Sequence, residues 1–316
     1  MARLRLIVFL PVLTLLAACS GTVQISRLTA DGEERLPPAV ALNDVPFYPQ
    51  DAYQCGPAAL ATTLDYSGAS TSLEALVERV YLPARHGSLQ PEMLAATRSA
   101  GRLPYLIDPS LDALLEEVAG GHPVLVLQNL GLGWLPQWHY AVVVGFDLEA
   151  GKLTLRSGTI RDYRVSLGLF ERTWRRAEHW GFVALRPGEL PSGGEPYLFF
   201  EALAAAEQVM DNKVLIPAYQ SAIQRWPDAP FLGAALGNLY YRQGNLSLAR
   251  QQFQGITESH PAYAEAHNNL AHILLELGQP EAASRHARMA VNLGGPGYPL
   301  FEKTLAATLA AMSPAP

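Results

Sequence analysis

The C-terminal third of the chain repeats with a period of 34 residues, and this repetition restricts its fold more than any other feature. Two consecutive units carry small or apolar residues at matching offsets: Leu236, Gly237, Tyr240, Ala249, Phe253 and Pro261, then Leu270, Ala271, Leu274, Ala283, Ala287 and Gly295. A degenerate earlier unit keeps Tyr219, Ala222 and Pro227. Such a period predicts stacked helical hairpins, in which small residues let paired helices approach and larger ones pack on the next hairpin.

These spacings resemble the tetratricopeptide repeat over about residues 197–295. We expect the first unit to begin with a helix near 200–210, and residues 300–312 to form the solvated cap helix that such stacks need. The resemblance implies a repeat domain, 197–316, with a concave surface that binds a peptide or protein partner.

Turn-forming residues mark two joints. The run PGELPSGGEP predicts a linker at 187–196, and the weakly patterned residues 19–44 predict a tether. Between them, residues 45–186 show helical patterns first and strand patterns later. We therefore predict an α+β domain followed by an all-α domain.

The N-terminus has the features of an export signal. Arg3 and Arg5 precede an apolar run at 6–16, followed by two alanines and Cys19. This arrangement resembles the lipobox of bacterial lipoproteins, although an ordinary signal peptide with a chance cysteine is the alternative. The resemblance implies a signal peptide at 1–18, a lipid (such as palmitate) on Cys19 and, from Ser20, anchoring to the outer membrane facing the periplasm.

Charge and cysteine content narrow the function further. The formal net charge of −6 argues against a nucleic-acid partner. The chain has two cysteines, so lipidation of Cys19 would leave Cys55 as a free thiol in an oxidising compartment. A buried, inert cysteine is one interpretation and a reactive one is the other.

The surroundings of Cys55 favour reactivity. In the string YQCGPAAL, Pro57 suits a first helical turn, so the sulfur is expected at a helix N-terminus, where the dipole lowers a thiol pKa. His139 opens HYAVVVGFD, a buried strand pattern, and is the candidate base. A structural role for His139 is the alternative, and His122 is interpreted as structural.

The region 45–186 resembles the papain-like peptidases that remove bacteriocin leaders after a double glycine. The matching pieces are QCGPAAL, GHPV, HYAVVVGFD, a strand at 152–156 and the pair Phe170 and Trp174. The resemblance implies that Cys55 is the nucleophile, that His139 is the general base and that a glutamine donates to the oxyanion. Gln50 is the best candidate for that glutamine, although it lies five positions before the cysteine instead of the usual six, and Gln54 is a weaker substitute.

The group that orients the histidine departs from the family pattern. The family usually places an Asp where this chain has Ser157. A serine oxygen can fix the imidazole tautomer but stabilises its cation less than a carboxylate does. Asp162 and Asp147 are the alternatives, as is the absence of a third member.

The sequence contains no HExxH, CxxC or phosphate-loop pattern, so we predict no metal and no cofactor. The segment at 131–134 is interpreted as a flexible loop, either a plain surface loop or a lid or wall for substrate. The leading hypothesis is a lipid-anchored cysteine peptidase whose repeats recruit substrate. A peptidase-fold scaffold for protein binding is the alternative, and acyl transfer by the same residues is a third possibility.

Overall fold

The computed structural model describes residues 36–49, 54–69 and 71–313. Its first part combines a sheet with helices. The strands are β1 (Ala39–Ala41), β2 (Leu103–Leu106), β3 (Val124–Asn129), β4 (Trp138–Asp147), β5 (Lys152–Ser157), β6 (Ile160–Ser166) and β7 (Gly181–Leu185). The helices are α1 (Cys55–Tyr66), α2 (Leu73–Val80), α3 (Gln90–Ser99), α4 (Leu111–Ala119) and α5 (Leu167–Arg175).

The described strands form one antiparallel sheet in the order β2-β7-β3-β4-β5-β6, and β1 pairs with the end of β4. Residues 36–44, expected to end a tether, are thus part of the folded domain. Ala39 lies opposite Asp147, and the Leu42 amide donates to the carbonyl of Val144 at 2.8 Å. The apolar residues of this short segment pack against the core, and the sequence pattern there was too brief to reveal a strand.

Strand β4 lies at the centre of the sheet and is apolar on both faces. Tyr140 and Val142 pack in the cluster that contains α1, whereas Ala141 and Val143 belong to the cluster beneath α4 and the later helices. Alternate side chains of a strand point to opposite faces, so an uninterrupted apolar run is what a strand covered on both sides requires. This packing places the N-terminus of α1 beside the start of β4.

After β7 the described secondary-structure elements are all helices, which confirms the predicted all-helical region after an α+β domain. The helices are α6 (Pro196–Ala206), α7 (Asn212–Arg225), α8 (Pro230–Arg242), α9 (Leu246–Ser259), α10 (Ala264–Glu276), α11 (Pro280–Leu293) and α12 (Tyr298–Met312). The leading helix begins at Pro196, earlier than expected, because proline suits the first helical position. A Cβ on Gly237 would lie 2.7 Å from the ring of Phe253, so glycine at this position permits the close approach of α8 and α9.

The predicted linker, 187–196, is bound to the first domain. The buried carboxylate of Glu117 accepts hydrogen bonds from the amides of Ser192 (3.1 Å) and Gly193 (3.4 Å), and lies 2.7 Å from Nδ1 of His122. The Tyr105 hydroxyl accepts from the amide of Glu195 at 3.1 Å. His122 therefore lies in a polar cluster that attaches the linker, in keeping with its interpretation as structural.

Candidate active site

Helix α1 begins at Cys55, so the thiol lies in the first turn among amides that have no helical acceptor. Pro57 is tolerated there because its missing amide is not needed. Gly56 permits close packing against the segment before α3, since a Cβ at this position would lie 2.4 Å from Oγ of Ser88. The absence of a side chain at Gly56 thus brings one wall of a cleft against the cysteine.

A cleft of about 1000 Å³ contains Cys55 and His139 together. The cleft is lined by the segment 85–90, by residues 136–140 and 176–178, and by Leu127 of β3. The cleft is large enough to accept several residues of a peptide.

The pKa of the Cys55 thiol differs from what the sequence predicted. Burial raises the pKa of the thiol above its ordinary value, although hydrogen bonds from the backbone amides of Tyr140, Gly56 and Cys55 itself lower it in part. The prediction that the helix N-terminus would lower this pKa is therefore wrong, because desolvation outweighs the favourable amides. The thiol rests protonated at neutral pH.

The amide of Tyr140 can reach the sulfur because of the strand register. β5 pairs with β4 only from Val142 onward, where Val142 lies opposite Arg156. The first residues of β4 thus extend beyond their neighbour and leave an edge facing the helix N-terminus. Sequence patterns did not indicate this contact, because it depends on where a neighbouring strand ends.

His139 lies on the same free edge of β4, with its Nε2 atom 2.8 Å from Oγ of Ser157 at the end of β5. For the other ring nitrogen, Nδ1, to act as a base, Nε2 must carry the proton and donate it to the serine oxygen. Burial lowers the pKa of His139, so the imidazole is neutral at pH 7. The cysteine and histidine are therefore an uncharged pair at rest.

The other sequence candidates for the third member have different partners. Asp162 forms an ion pair with Arg156, whose guanidinium also donates to the carbonyl of Val45 at 3.1 and 3.2 Å. Asp147 accepts from the amide of Ala150 at 2.8 Å in the turn after β4. Neither carboxylate is bonded to His139, and Ser157 is the residue that the fold brings to it.

The remaining site candidates are less fully described. Gln50 and Cys19 lie outside the described residues. Gln54 is the residue before α1, and its side chain makes no capping hydrogen bond to that helix. The oxyanion and lipidation assignments therefore stay predictions.

No group of three or more His, Cys, Asp or Glu side chains within 36–49, 54–69 and 71–313 is arranged to hold a metal ion. No helix in this part of the chain is both long and apolar enough to span a membrane.

Residues 42–179, less than half of the chain, match the Peptidase_C39 like family. This match supports a peptidase type for the first domain. No curated protein matches the sequence.

Solved structures resemble parts of the chain. A C39-like peptidase from Bacillus anthracis is 16% identical, with a TM-score of 0.40, over 47% of this chain and 98% of that one. A double glycine motif protease from an AMS/PCAT transporter, in complex with the leader peptide, is 20% identical, with a TM-score of 0.34, over 45% and 91%. The first TPR of Spaghetti (RPAP3), bound to an HSP90 peptide, is 14% identical, with a TM-score of 0.33, over 37% and 94%.

Proposed function

We propose that this chain is a cysteine peptidase in which Cys55 is the nucleophile, His139 the general base and Ser157 the residue that orients the imidazole. The observation that carries the proposal is that Cys55 and His139 line one cleft while Nε2 of His139 is 2.8 Å from the Ser157 oxygen. This arrangement leaves Nδ1 as the ring nitrogen to receive the thiol proton.

The uncharged resting pair suggests the order of steps. Nδ1 of His139 takes the proton as the sulfur attacks the peptide carbonyl, so charge develops only as the carbon–sulfur bond forms. We propose that the backbone amide of Cys55 donates to the oxyanion and that, by family resemblance, Gln50 supplies a second donor. The imidazolium then gives its proton to the leaving amine, and a water molecule hydrolyses the thioester with His139 again as base.

Ser157 has a particular part in this mechanism. Its hydroxyl oxygen accepts a hydrogen bond from Nε2–H and so holds the imidazole in the required tautomer. Because it is neutral, it stabilises the imidazolium less than a carboxylate would. We therefore expect a slower peptidase than one with an Asp at this position.

We further propose that the helical region is a tetratricopeptide-repeat domain that recruits a substrate or partner protein. The small residues that permit close helix packing support this assignment. The N-terminal sequence supports a lipid on Cys19 and a location on the periplasmic side of the outer membrane. Two or three acyl chains would anchor the protein durably, since each buried CH₂ contributes about 0.8 kcal/mol.

The test replaces Cys55 by Ala in the full chain and measures hydrolysis of a fluorogenic peptide library together with labelling by a thiol-reactive acyl probe. We expect both signals to disappear, while a Leu300→Ala control at an exposed site on α12 keeps them. Equal cleavage by the Cys55→Ala variant and the unaltered chain would refute the proposal.

A second candidate is a protein-binding scaffold that retains the peptidase fold. The raised thiol pKa and the neutral Ser157 favour it. If the unaltered chain cleaves no peptide while a partner protein binds equally well to it and to the Cys55→Ala variant, the scaffold function is correct. Acyl transfer uses the same residues, and adding a free amine to the cleavage assay would reveal it as an amide product.

A further inference from the structure

The segment from the end of β3 to the first residue of β4 carries an unusual concentration of apolar side chains beside the cleft. Residues 130–138, here called the apolar loop, have the sequence LGLGWLPQW and contain no charged residue. Its large apolar side chains are exposed: Leu130, Leu132, Trp134, Leu135 and Trp138. Trp134 is 80% exposed and Leu132 is 53% exposed. Exposed apolar clusters of this kind mark binding surfaces.

The apolar loop is braced by hydrogen bonds. Oδ1 of Asn129 accepts from the amides of Gly131 (3.0 Å) and Gln137 (2.9 Å), which closes the base of the loop. Leu132 and Leu135 exchange two backbone hydrogen bonds of 3.1 Å. The sequence alone suggested a flexible loop, and these hydrogen bonds favour a defined shape for it.

The residue that follows α5, Arg176, also supports the apolar loop. The guanidinium of Arg176 donates to the carbonyls of Asn129 (3.2 Å) and Gly131 (2.9 Å). A Cβ on Gly131 would lie 2.3 Å from the carbonyl oxygen of Leu135, so glycine is needed for the tight turn. A surface held in place before binding loses little conformational freedom when a ligand arrives.

The apolar loop is continuous with the candidate active site. Pro136, Gln137 and Trp138 line the cleft that contains Cys55 and His139. Trp138 directly precedes the histidine in β4. A ligand lying on the loop therefore extends into the place where the reaction is proposed to occur.

We propose that the apolar loop binds a segment of the substrate polypeptide rich in leucine, valine or aromatic residues, next to the bond that is cleaved. The proposal rests on the peptidase function above and names the class of its substrate. A lipid surface is the less favoured occupant, because the loop has no Lys or Arg, whereas segments that lie in a membrane interface are typically rich in these residues. The guanidinium of Arg176, which contacts the loop, is bonded to backbone carbonyls.

The test compares two fluorogenic decapeptide libraries, one rich in Leu, Val and Phe and the other with Ser and Asn in their place. We expect the full chain to prefer the apolar library, and Trp134→Ala and Leu132→Ser each to reduce kcat/KM for it by about tenfold or more. Leu300→Ser is the matched control, since Leu300 is 55% exposed and lies on α12 away from the cleft. Labelling of Cys55 by a small acyl probe should be equal in all variants.

Several outcomes would overturn the inference without touching the peptidase function. The inference is wrong if Trp134→Ala and Leu132→Ser both leave kcat/KM unchanged. It is also wrong if the unaltered chain cleaves the two libraries equally well. Sedimentation with phosphatidylethanolamine and phosphatidylglycerol vesicles that depends on Trp134, with cleavage unaffected, would assign the loop to the membrane.

A binding measurement separates the two proposals. The Cys55→Ala variant should bind the apolar library, detected by fluorescence anisotropy, and Trp134→Ala in that background should weaken binding by about tenfold or more. Binding without cleavage by the unaltered chain would refute the peptidase function and keep the loop assignment. An absence of binding to the Cys55→Ala variant would overturn the loop assignment.

Discussion

Replacement of Ser157 tests how the imidazole of His139 is held. The serine oxygen lies 2.8 Å from Nε2 and is a neutral acceptor. Ser157→Ala removes one hydrogen bond, which contributes about 0.5 to 1.5 kcal/mol. If that contribution is made in the transition state, kcat/KM falls by about 2- to 12-fold.

Ser157→Asp makes the opposite change at the same place. A carboxylate near Nε2 stabilises the imidazolium by up to about 4 kcal/mol at an effective dielectric constant of 20, before the cost of burying the new charge. The pKa of His139 rises as a result. Because the base must be neutral, the acidic limb of the kcat/KM profile moves to higher pH, while the maximal rate increases as the imidazolium is better stabilised in the transition state.

Two measurements check this reasoning. The first is the pH dependence of kcat/KM with a fluorogenic peptide. For the unaltered chain the acidic limb should lie below pH 6.5, the ordinary pKa of histidine, because burial lowers the pKa of His139. The second is an NMR titration of the imidazole, which does not require activity. Ser157→Thr keeps a hydroxyl and serves as the conservative control.

The role of Ser157 is refuted if Ser157→Ala matches the unaltered chain in kcat/KM and in its acidic limb. It is equally refuted if Ser157→Asp leaves the titration of His139 where it was. Either result would mean that the 2.8 Å contact has no energetic effect on the base.

Three further predictions concern the thiol, the linker and the helices. Alkylation of Cys55 by iodoacetamide should rise with pH above 9.0, because burial raises the thiol pKa; a plateau of reactivity below pH 7 would instead indicate a resting ion pair. Burial opposes the protonation of His122, but hydrogen bonds and charges from Glu117 and Glu189 outweigh it and raise its pKa to about 9. The contribution of His122 to the free energy of unfolding is therefore fully present below pH 6.5 and is lost as pH rises through 9, a decrease of about 1 to 3 kcal/mol. Urea titrations should show this decrease for the unaltered chain but not for a His122→Gln variant. Gly237→Ala should destabilise the chain by about 1 to 3 kcal/mol, because the new Cβ would collide with the ring of Phe253. Gly255→Ala, on the open face of α9, should stabilise the chain by about 0.5 to 1 kcal/mol. Equal midpoints of thermal unfolding for the two variants would contradict the packing described.

Local patterns were enough to predict the helix that begins at Cys55, the helical region from 197 onward and the buried strand after His139. The 34-residue period reflects contacts between neighbours in sequence, so the helical region is visible without a structure. The start of α1 follows from Pro57 and the small residues after Cys55, and the apolar run after His139 follows from burial of β4 on both faces. These features depend on a few adjacent residues and on simple periodicities.

Contacts between residues far apart in the chain could not be predicted from the sequence. β1 is three residues long and pairs with residues more than 100 positions away, so no local period marks it. Asp162 was open as a partner of His139 until the fold placed it against Arg156. The pKa of Cys55 was predicted from the helix dipole alone, because the extent of burial cannot be read from a linear string.

The sequence by itself determined which chemistry is available: one thiol within a helix-start pattern, one histidine at the head of a buried strand, and a serine where the family resemblance leads us to expect a carboxylate. Tertiary structure decided which of these groups meet and in what protonation state. The end of β5 leaves the edge of β4 open to the sulfur, and burial keeps both the thiol and the imidazole uncharged. The physical reason is that residue identity sets intrinsic reactivity, whereas distance and desolvation, which tune that reactivity, are properties of the packed chain.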